Sequence, residues 1–361
     1  MAGFFVDPDI AKAKTLDTTF YTSDTCYNDA KERIFAASWQ LAGHTGEIAT
    51  AGSALPFTLL PGCLDEPLVL VNDSGGRLRC LSNVCTHRGN LLVTEKCALR
   101  SIRCRYHGRQ FALDGRFVSM PEFKEVLDFP AESDHLATVP LYRWGNLVFA
   151  NLVPGLDAAT VFGPMTERMS WFPMGDLVFR QDLSRDYHVS ANWALYCENY
   201  LEGFHIPFVH EGLNQELDFG AYTTELFGYS NLQLGIGKYG ESCFDLPESA
   251  ADFGRQVAAY YFWVFPNMMF NFYPWGLSIN HVLPQGKDRC KVAYYTYVLD
   301  ETKLGSGAGA GLDTVELEDE EIVEQVQRGI QSRFYRQGRY SVLRETGTHH
   351  FHSLIAKFMN K

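Results

Sequence analysis

Cys85-Thr86-His87-Arg88-Gly89 and Cys104-Arg105-Tyr106-His107-Gly108 are two loops of one pattern, with sixteen residues between His87 and Cys104. Each supplies one sulfur and one imidazole, and each has a glycine within two residues after its histidine. A zinc finger separates its ligands, cysteines in one knuckle and histidines in another. Here the two ligand types alternate within each loop. The flanking chain consists of short apolar runs, Glu66-Pro-Leu-Val-Leu-Val71 and Gly145-Asn-Leu-Val-Phe-Ala-Asn151, separated by Gly, Pro, Asn and Asp. That spacing predicts a small all-β module over residues 44–153.

Alternating sulfur and nitrogen suits a [2Fe–2S] centre of the Rieske type, in which two histidines replace two cysteines on one iron. Cys85 and Cys104 would take one iron, and His87 and His107 the other. The glycines let backbone N–H groups approach the bridging sulfides. The alternative on the same four ligands is zinc, which a colourless protein without acid-labile sulfide would reveal. Cys80 and Cys97 read as buried structural thiols.

Composition narrows the class. Lys+Arg 31 against Asp+Glu 43 gives a net charge of −12, which argues against gripping a nucleic-acid backbone. A hydrophobic fraction of 46% and an aromatic fraction of 14% provide a sizeable core and exclude disorder as a whole-chain description. The first ten residues carry acids where a secretory leader needs a basic region, so the chain reads as cytoplasmic, with its nine cysteines reduced. Residues 256–286 contain no Asp, Glu, Lys or Arg, but Pro266, Asn267, Pro274 and Gly276 interrupt any helix long enough to cross a membrane. The stretch reads as two or three buried strands.

The N-terminal residues up to 43 read as a helical segment packing with the second domain, with Tyr27 to Gln40 at helical spacing. Pro154 to Gly175 reads as a linker or connecting loop, and residues 154–361 as an α+β domain with an antiparallel sheet. Within it Phe179 to Val189 predicts a strand, Asn192 to Phe204 a helix, Val292 to Leu299 a strand and Glu316 to Gly338 a closing helix. Glu202 and His205, three residues apart, would share a helical face. His210 would lie about 140° off that face unless Pro207 ends or kinks the helix. Two histidines invite a carboxylate, because two histidines and one acid form the facial triad of non-haem Fe(II) oxygenases. On the closing helix Asp319 falls in the middle of a stripe formed by Ile322, Val323, Val326, Ile330 and Phe334. A core tolerates such an acid only with a partner. Glu316 and Glu318 fall at the edges of the stripe, and Glu320, Glu321 and Glu324 point away as a solvated first turn.

The two cysteine-histidine loops, followed by Phe111, Asp114-Gly115 and Pro121, resemble the Rieske domain of Rieske-type non-haem iron oxygenases, the α subunits of the ring-hydroxylating dioxygenase family. The likeness runs from about Lys31 to the C-terminus and includes Asn192-Trp193, the His205-x₄-His210 spacing, and Asp319 ahead of Val326-Gln327-Arg328-Gly329. It departs at Arg109, where many members carry Trp. The resemblance implies an all-β Rieske domain joined to an antiparallel-sheet, helix-grip (START-like) catalytic domain. Cys85, His87, Cys104 and His107 would bind the [2Fe–2S] cluster, and His205, His210 and Asp319 a mononuclear Fe(II) that uses O2. Glu202 takes the place of the acid that bridges one subunit's iron to the neighbouring subunit's cluster, where it would meet His107, and Asn199 would support it.

The resemblance also implies a head-to-tail homotrimer, without a β subunit, and a separate NAD(P)H-dependent reductase, sometimes acting through a ferredoxin. Glu198-Asn-Tyr-Leu-Glu-Gly-Phe-His205 is similar to the choline, carnitine and betaine oxygenase branch. That likeness implies hydroxylation or demethylation of a small quaternary ammonium or amine held in an aromatic cage. Tyr260, Tyr261, Phe262, Trp263, Phe265, Phe270, Phe272, Tyr273 and Trp275 are candidates for the cage. The alternatives are a cis-dihydroxylating arene dioxygenase and a non-catalytic Rieske electron carrier.

Overall fold

The computed structural model describes residues 3–210, 212–213, 218–310 and 312–361. They fall into two compact units, residues 39–154 and residues 1–38 with 155–361.

The unit over 39–154 is all β. Cys97–Ala98, Ser53–Leu59, Glu66–Asn72, Leu78–Ser82 and Thr138–Val139 make one antiparallel sheet in that order. Gln40–His44, Leu147–Ala150 and Leu141–Trp144 make a second, and Ile102–Arg103, Gln110–Phe111 and Phe117–Ser119 a third. The core joins Val69, Val71 and Leu81 to Ile102, Phe111 and Leu136, and both Cys85 and Cys104 are buried within it. The first cysteine-histidine loop follows the Leu78–Ser82 strand, and the second is the turn between Ile102–Arg103 and Gln110–Phe111.

The second unit is built on an eight-stranded antiparallel sheet. Its spine is Cys290–Val298, Gly276–Pro284, Met268–Tyr273, Val257–Val264, Ser230–Ile236 and Thr223–Leu226. Three strands fill the charge-free stretch, which turns at Pro266-Asn267 and Pro274-Trp275. The register aligns Gln233 with Tyr261, Tyr261 with Asn271, and Asn271 with Ser278, so one face carries a polar row. Leu232, Phe262, Phe270 and Ile279 align on the opposite face. Both faces are covered, which is why polar and apolar strand residues alike are buried.

Several expectations need correction. Pro154 to Gly175 is neither a linker nor a plain connecting loop: Ala158–Arg168 is a helix started by Asp157, whose carboxylate accepts from the Thr160 amide at 3.0 Å. It buries Val161, Phe162 and Met165, while Trp171 and Phe172 just beyond it pack on Tyr260 and Phe272. Phe179 to Val189 is two strands, Val178–Phe179 and Arg185–Val189, separated by a 3-10 turn. The segment after Tyr27 is an α-helix, Asp24–Ala30, that widens into a π-turn over Lys31–Phe35.

The closing helix runs over Leu312–Gly329, so the acids from Glu316 onward lie beyond its first turn. Its buried face is Glu316, Val323 and Gln327, while Val326 is 42% exposed and Phe334, past the helix end, 94% exposed. Gly235-Ile236-Gly237-Lys238-Tyr239-Gly240 spells a dinucleotide-binding pattern, but no helix follows the Ser230–Ile236 strand before Val257–Val264. It therefore lacks the helix N-terminus that would hold a pyrophosphate. No helix among the described residues is long and apolar enough to cross a membrane.

Candidate active site

In the all-β unit the two loops are the same turn made twice. The Gly89 amide donates to the Cys85 carbonyl at 3.0 Å, and the Gly108 amide donates to the Cys104 carbonyl at 3.0 Å. Gly89 and Gly108 sit at φ +69° and +75°, the left-handed region that a side chain would strain. The His87 and His107 rings approach to 4.7 Å between centroids. Nδ1 of each is buried and has no hydrogen-bond partner, an arrangement rare in folded proteins unless the atom serves a ligand. The sulfurs are supplied with donors: the Tyr106 and His107 amides point at Cys104 and the His87 amide at Cys85. Two thiols with aimed amides beside two free imidazole nitrogens fit a Rieske cluster. Cys80, fully buried nearby, is pushed up to about 12 by burial and is inert.

In the second unit, Asn192 caps the helix Trp193–Tyr200, its side-chain oxygen accepting from the Ala194 amide at 3.0 Å. This helix ends at Tyr200 rather than at Phe204. Pro207 does not end or kink a helix but sits in the first turn of a new one, Ile206–Val209, where its missing N–H costs nothing. Glu202 therefore meets His205 across a loop. One carboxylate oxygen is 2.8 Å from His205 Nδ1, and the other accepts from the His205 amide at 3.1 Å. The short helix carries the chain around so that His205 Nε2 and His210 Nε2 lie 3.1 Å apart. Asp319 Oδ1 is 3.0 Å from His210 Nε2 and 3.5 Å from His205 Nε2. These three residues are the one histidine, cysteine or carboxylate group among the described residues whose ligand atoms converge in this way, all within 4.8 Å. Such a set can hold a metal and leave coordination positions open.

The trio opens on a cavity walled by Tyr196, Tyr200, Tyr222, Tyr261, Tyr273 and Tyr294, with Asn199, Gln233, Asn271 and Asn280 between them. Tyr200 donates to Asn271 at 2.7 Å, and Asn271 donates to Asn280 at 3.0 Å. Of the nine expected cage aromatics, only Tyr261 and Tyr273 reach the cavity. Tyr260, Phe262, Phe270 and Phe272 fall on the other face of the sheet by strand alternation. Trp263 packs on Phe351, Phe265 on Phe358, and Trp275 stacks behind Tyr273.

The residues 178–361 match the model of the ring-hydroxylating α subunit catalytic domain, and residues 38–138 match that of the Rieske [2Fe-2S] domain. The chain belongs to the ring-hydroxylating α-subunit family. It is the oxygenase component of a Rieske system, using a [2Fe–2S] cluster, a mononuclear non-haem iron and O2, with a reductase partner and a small-molecule substrate. A choline monooxygenase of Beta vulgaris is 31% identical over 96% of this chain and 78% of its own length. The carnitine monooxygenase oxygenase subunit of Escherichia coli K12 is 29% identical over 96% and 94%. A quaternary ammonium Rieske monooxygenase superposes with a TM-score of 0.78 at 25% identity, covering 97% of this chain and 96% of that one. Naphthalene 1,2-dioxygenase shares the fold at 16% identity with a TM-score of 0.72, covering 96% and 92%.

Two residues of this Rieske oxygenase site escaped sequence reasoning. Glu318 lies 2.7 Å from His210 Nδ1 and Glu202 2.8 Å from His205 Nδ1, so each histidine has a carboxylate behind it. Glu316 is buried and accepts from Tyr196 at 2.5 Å and from Tyr294. Burial pushes its carboxyl up to about 8 against those hydroxyls. Neither acid could be singled out in a run of six where only the apolar phase was read.

Proposed function

We propose that this chain oxidises a small quaternary ammonium or tertiary amine by hydroxylation or demethylation. His205, His210 and Asp319 would hold the iron, and Cys85, Cys104, His87 and His107 the cluster. Iron there supplies open positions for O2 reduction, and the cluster supplies electrons one at a time. Glu202 and Glu318 keep a proton on Nδ1 of His205 and His210, so that Nε2 is the free ligand atom on each ring. The carboxylate oxygens of Glu202 each retain a lone pair, enough to accept from a neighbouring chain's His107. Asn199 supports this edge of the cavity.

The observation that carries the substrate class is the cavity wall, six tyrosines around a carboxylate-bearing pocket with no lysine or arginine among its described lining residues. A cation gains from aromatic faces and meets no like charge there. Choline and carnitine monooxygenases among the relatives support the same reading. We further assign the chain to the cytoplasm, as a head-to-tail homotrimer without a β subunit, fed by an NAD(P)H-dependent reductase, directly or through a ferredoxin. None of its nine cysteines is in a disulfide, which suits a reducing compartment.

The test is a single turnover. Protein prepared without air should hold about three irons and about two labile sulfides per chain. Chemically reduced and exposed to O2 with pooled candidates, it should oxygenate or demethylate the ammonium compounds, as read by mass spectrometry. Oxidation of aromatic candidates alone would replace this reading with the arene dioxygenase one. Two irons and no product would leave an electron carrier.

A further inference from the structure

Arg109 is the most deeply buried charged side chain of the all-β unit, 2% exposed, and it follows His107 by two residues. One guanidinium nitrogen is 2.5 Å from Asp134 Oδ1 and 3.2 Å from the Asp134 carbonyl oxygen. The guanidinium carbon lies 5.0 Å from the Phe117 ring centre, 5.3 Å from Phe129 and 5.8 Å from Phe111. Three aromatic faces and one carboxylate keep the ion in a dry site. Nε is buried and has no partner, so the charge is not fully compensated by hydrogen bonds.

The same group connects the two cluster loops. The Arg109 carbonyl accepts from the Cys104 amide at 2.8 Å, which closes the second loop. The Asp134 carbonyl that Arg109 holds also accepts from Thr86 Oγ1 at 2.9 Å, which anchors the first loop. Arg109 therefore bears on one loop through its backbone and on the other through Asp134.

We propose that Arg109, balanced by Asp134, sets the reduction potential of the Rieske cluster and fixes the spacing of its two loops. It is a positioning residue, since it touches neither substrate nor iron. The inference rests on the cluster assignment alone and is independent of the substrate class. Reduction adds one negative charge to the cluster. A buried cation stabilises that charge and raises the potential, and an adjacent carboxylate lowers it.

The two partners therefore predict shifts of opposite sign. Full-length, cluster-loaded protein would be titrated with redox mediators and followed by visible circular dichroism and electron paramagnetic resonance. Arg109→Gln should lower the reduction equilibrium constant about tenfold, or about 59 mV for a one-electron couple. Asp134→Asn, which leaves Arg109 in place, should shift the potential upward. Arg109→Lys keeps the charge but loses the forked grip. It should retain most of the potential while broadening the resonance signal as the loops loosen. If Arg109→Gln fails to load a cluster, the upward shift in Asp134→Asn still decides the matter. Both shifts in one direction, or none in either, would overturn the proposal, because loop damage alone carries no sign that follows charge.

Discussion

A histidine that binds metal through one nitrogen is only as well aimed as the hydrogen bond on the other. Glu318 holds His210 Nδ1 at 2.7 Å. Glu318→Gln should therefore weaken iron retention by about 10–100-fold. Competition against a chelator would measure this, with the cluster's visible spectrum unchanged; a loss below about twofold would mean His210 needs no such support. Glu316 works differently, because it is buried beneath two tyrosines with its carboxyl raised by burial to about 8 from an ordinary 4.5. In the iron-free chain the folded state holds a proton there that the unfolded state has released. The stability that proton contributes is complete below about pH 4.5 and is lost as pH rises through about 8. Glu316→Gln should flatten this part of the pH profile and gain relative stability at alkaline pH. Melting temperatures of chelator-treated protein across that window would show it, and parallel profiles for the two chains would contradict it.

At the scale of elements, the loop that carries His205, proposed as an iron ligand, depends on a close approach between helices. A Cβ added to Gly347, in the helix Thr346–Met359, would come within 2.3 Å of the Leu201 carbonyl oxygen, where Trp193–Tyr200 ends. Backbone oxygen cannot swing aside as a side chain can. Gly347→Ala should cost about 1–3 kcal/mol and loosen His205 by displacing the residues before it. Denaturant melts together with iron content would register both effects; an unchanged midpoint would mean the helix slides freely. Elements of this kind were unevenly legible. The strands of the charge-free stretch could be read because Pro266-Asn267 and Pro274 divide an apolar run into lengths that only strands fill. The helix Leu312–Gly329 was misphased because Glu316 and Gln327 point inward, satisfied by tyrosines and by the Asn192 amide. A phase fitted to apolar residues cannot see a buried face made of paired polar groups. Asp319 lies near both stripes, and its carboxylate sits beside His205 and His210. The tyrosine wall stayed hidden because it is assembled in space from separate elements: Tyr196 and Tyr200 lie on the helix Trp193–Tyr200, Tyr222 just ahead of Thr223–Leu226, and Tyr261, Tyr273 and Tyr294 on three strands of the sheet.

For the whole molecule, the proposed ring makes each catalytic event the work of two chains. A chain with Cys104→Ser would lack a working cluster but keep the His205, His210 and Asp319 set, and a chain with His205→Ala would have the reverse defect. Each alone should be inactive under either route of electron flow. The mixture separates the routes. If an electron passes from a cluster to the iron of the next chain, a junction works whenever an intact cluster precedes an intact iron site. In trimers assembled at random from equal amounts of the two chains, the donor is intact in half of the junctions and the acceptor in half, independently. About one quarter of wild-type turnover should return. If the electron stays within one chain, no mixed trimer contains a chain with both centres and none should return. Co-expression with two affinity tags, followed by turnover with the reductase, would measure the fraction. Adding Glu202→Gln to the Cys104→Ser chain, which supplies the iron, should abolish the recovery. The same change in the His205→Ala chain, whose iron site is already lost, should leave it intact. That asymmetry would assign the bridging carboxylate to the accepting subunit.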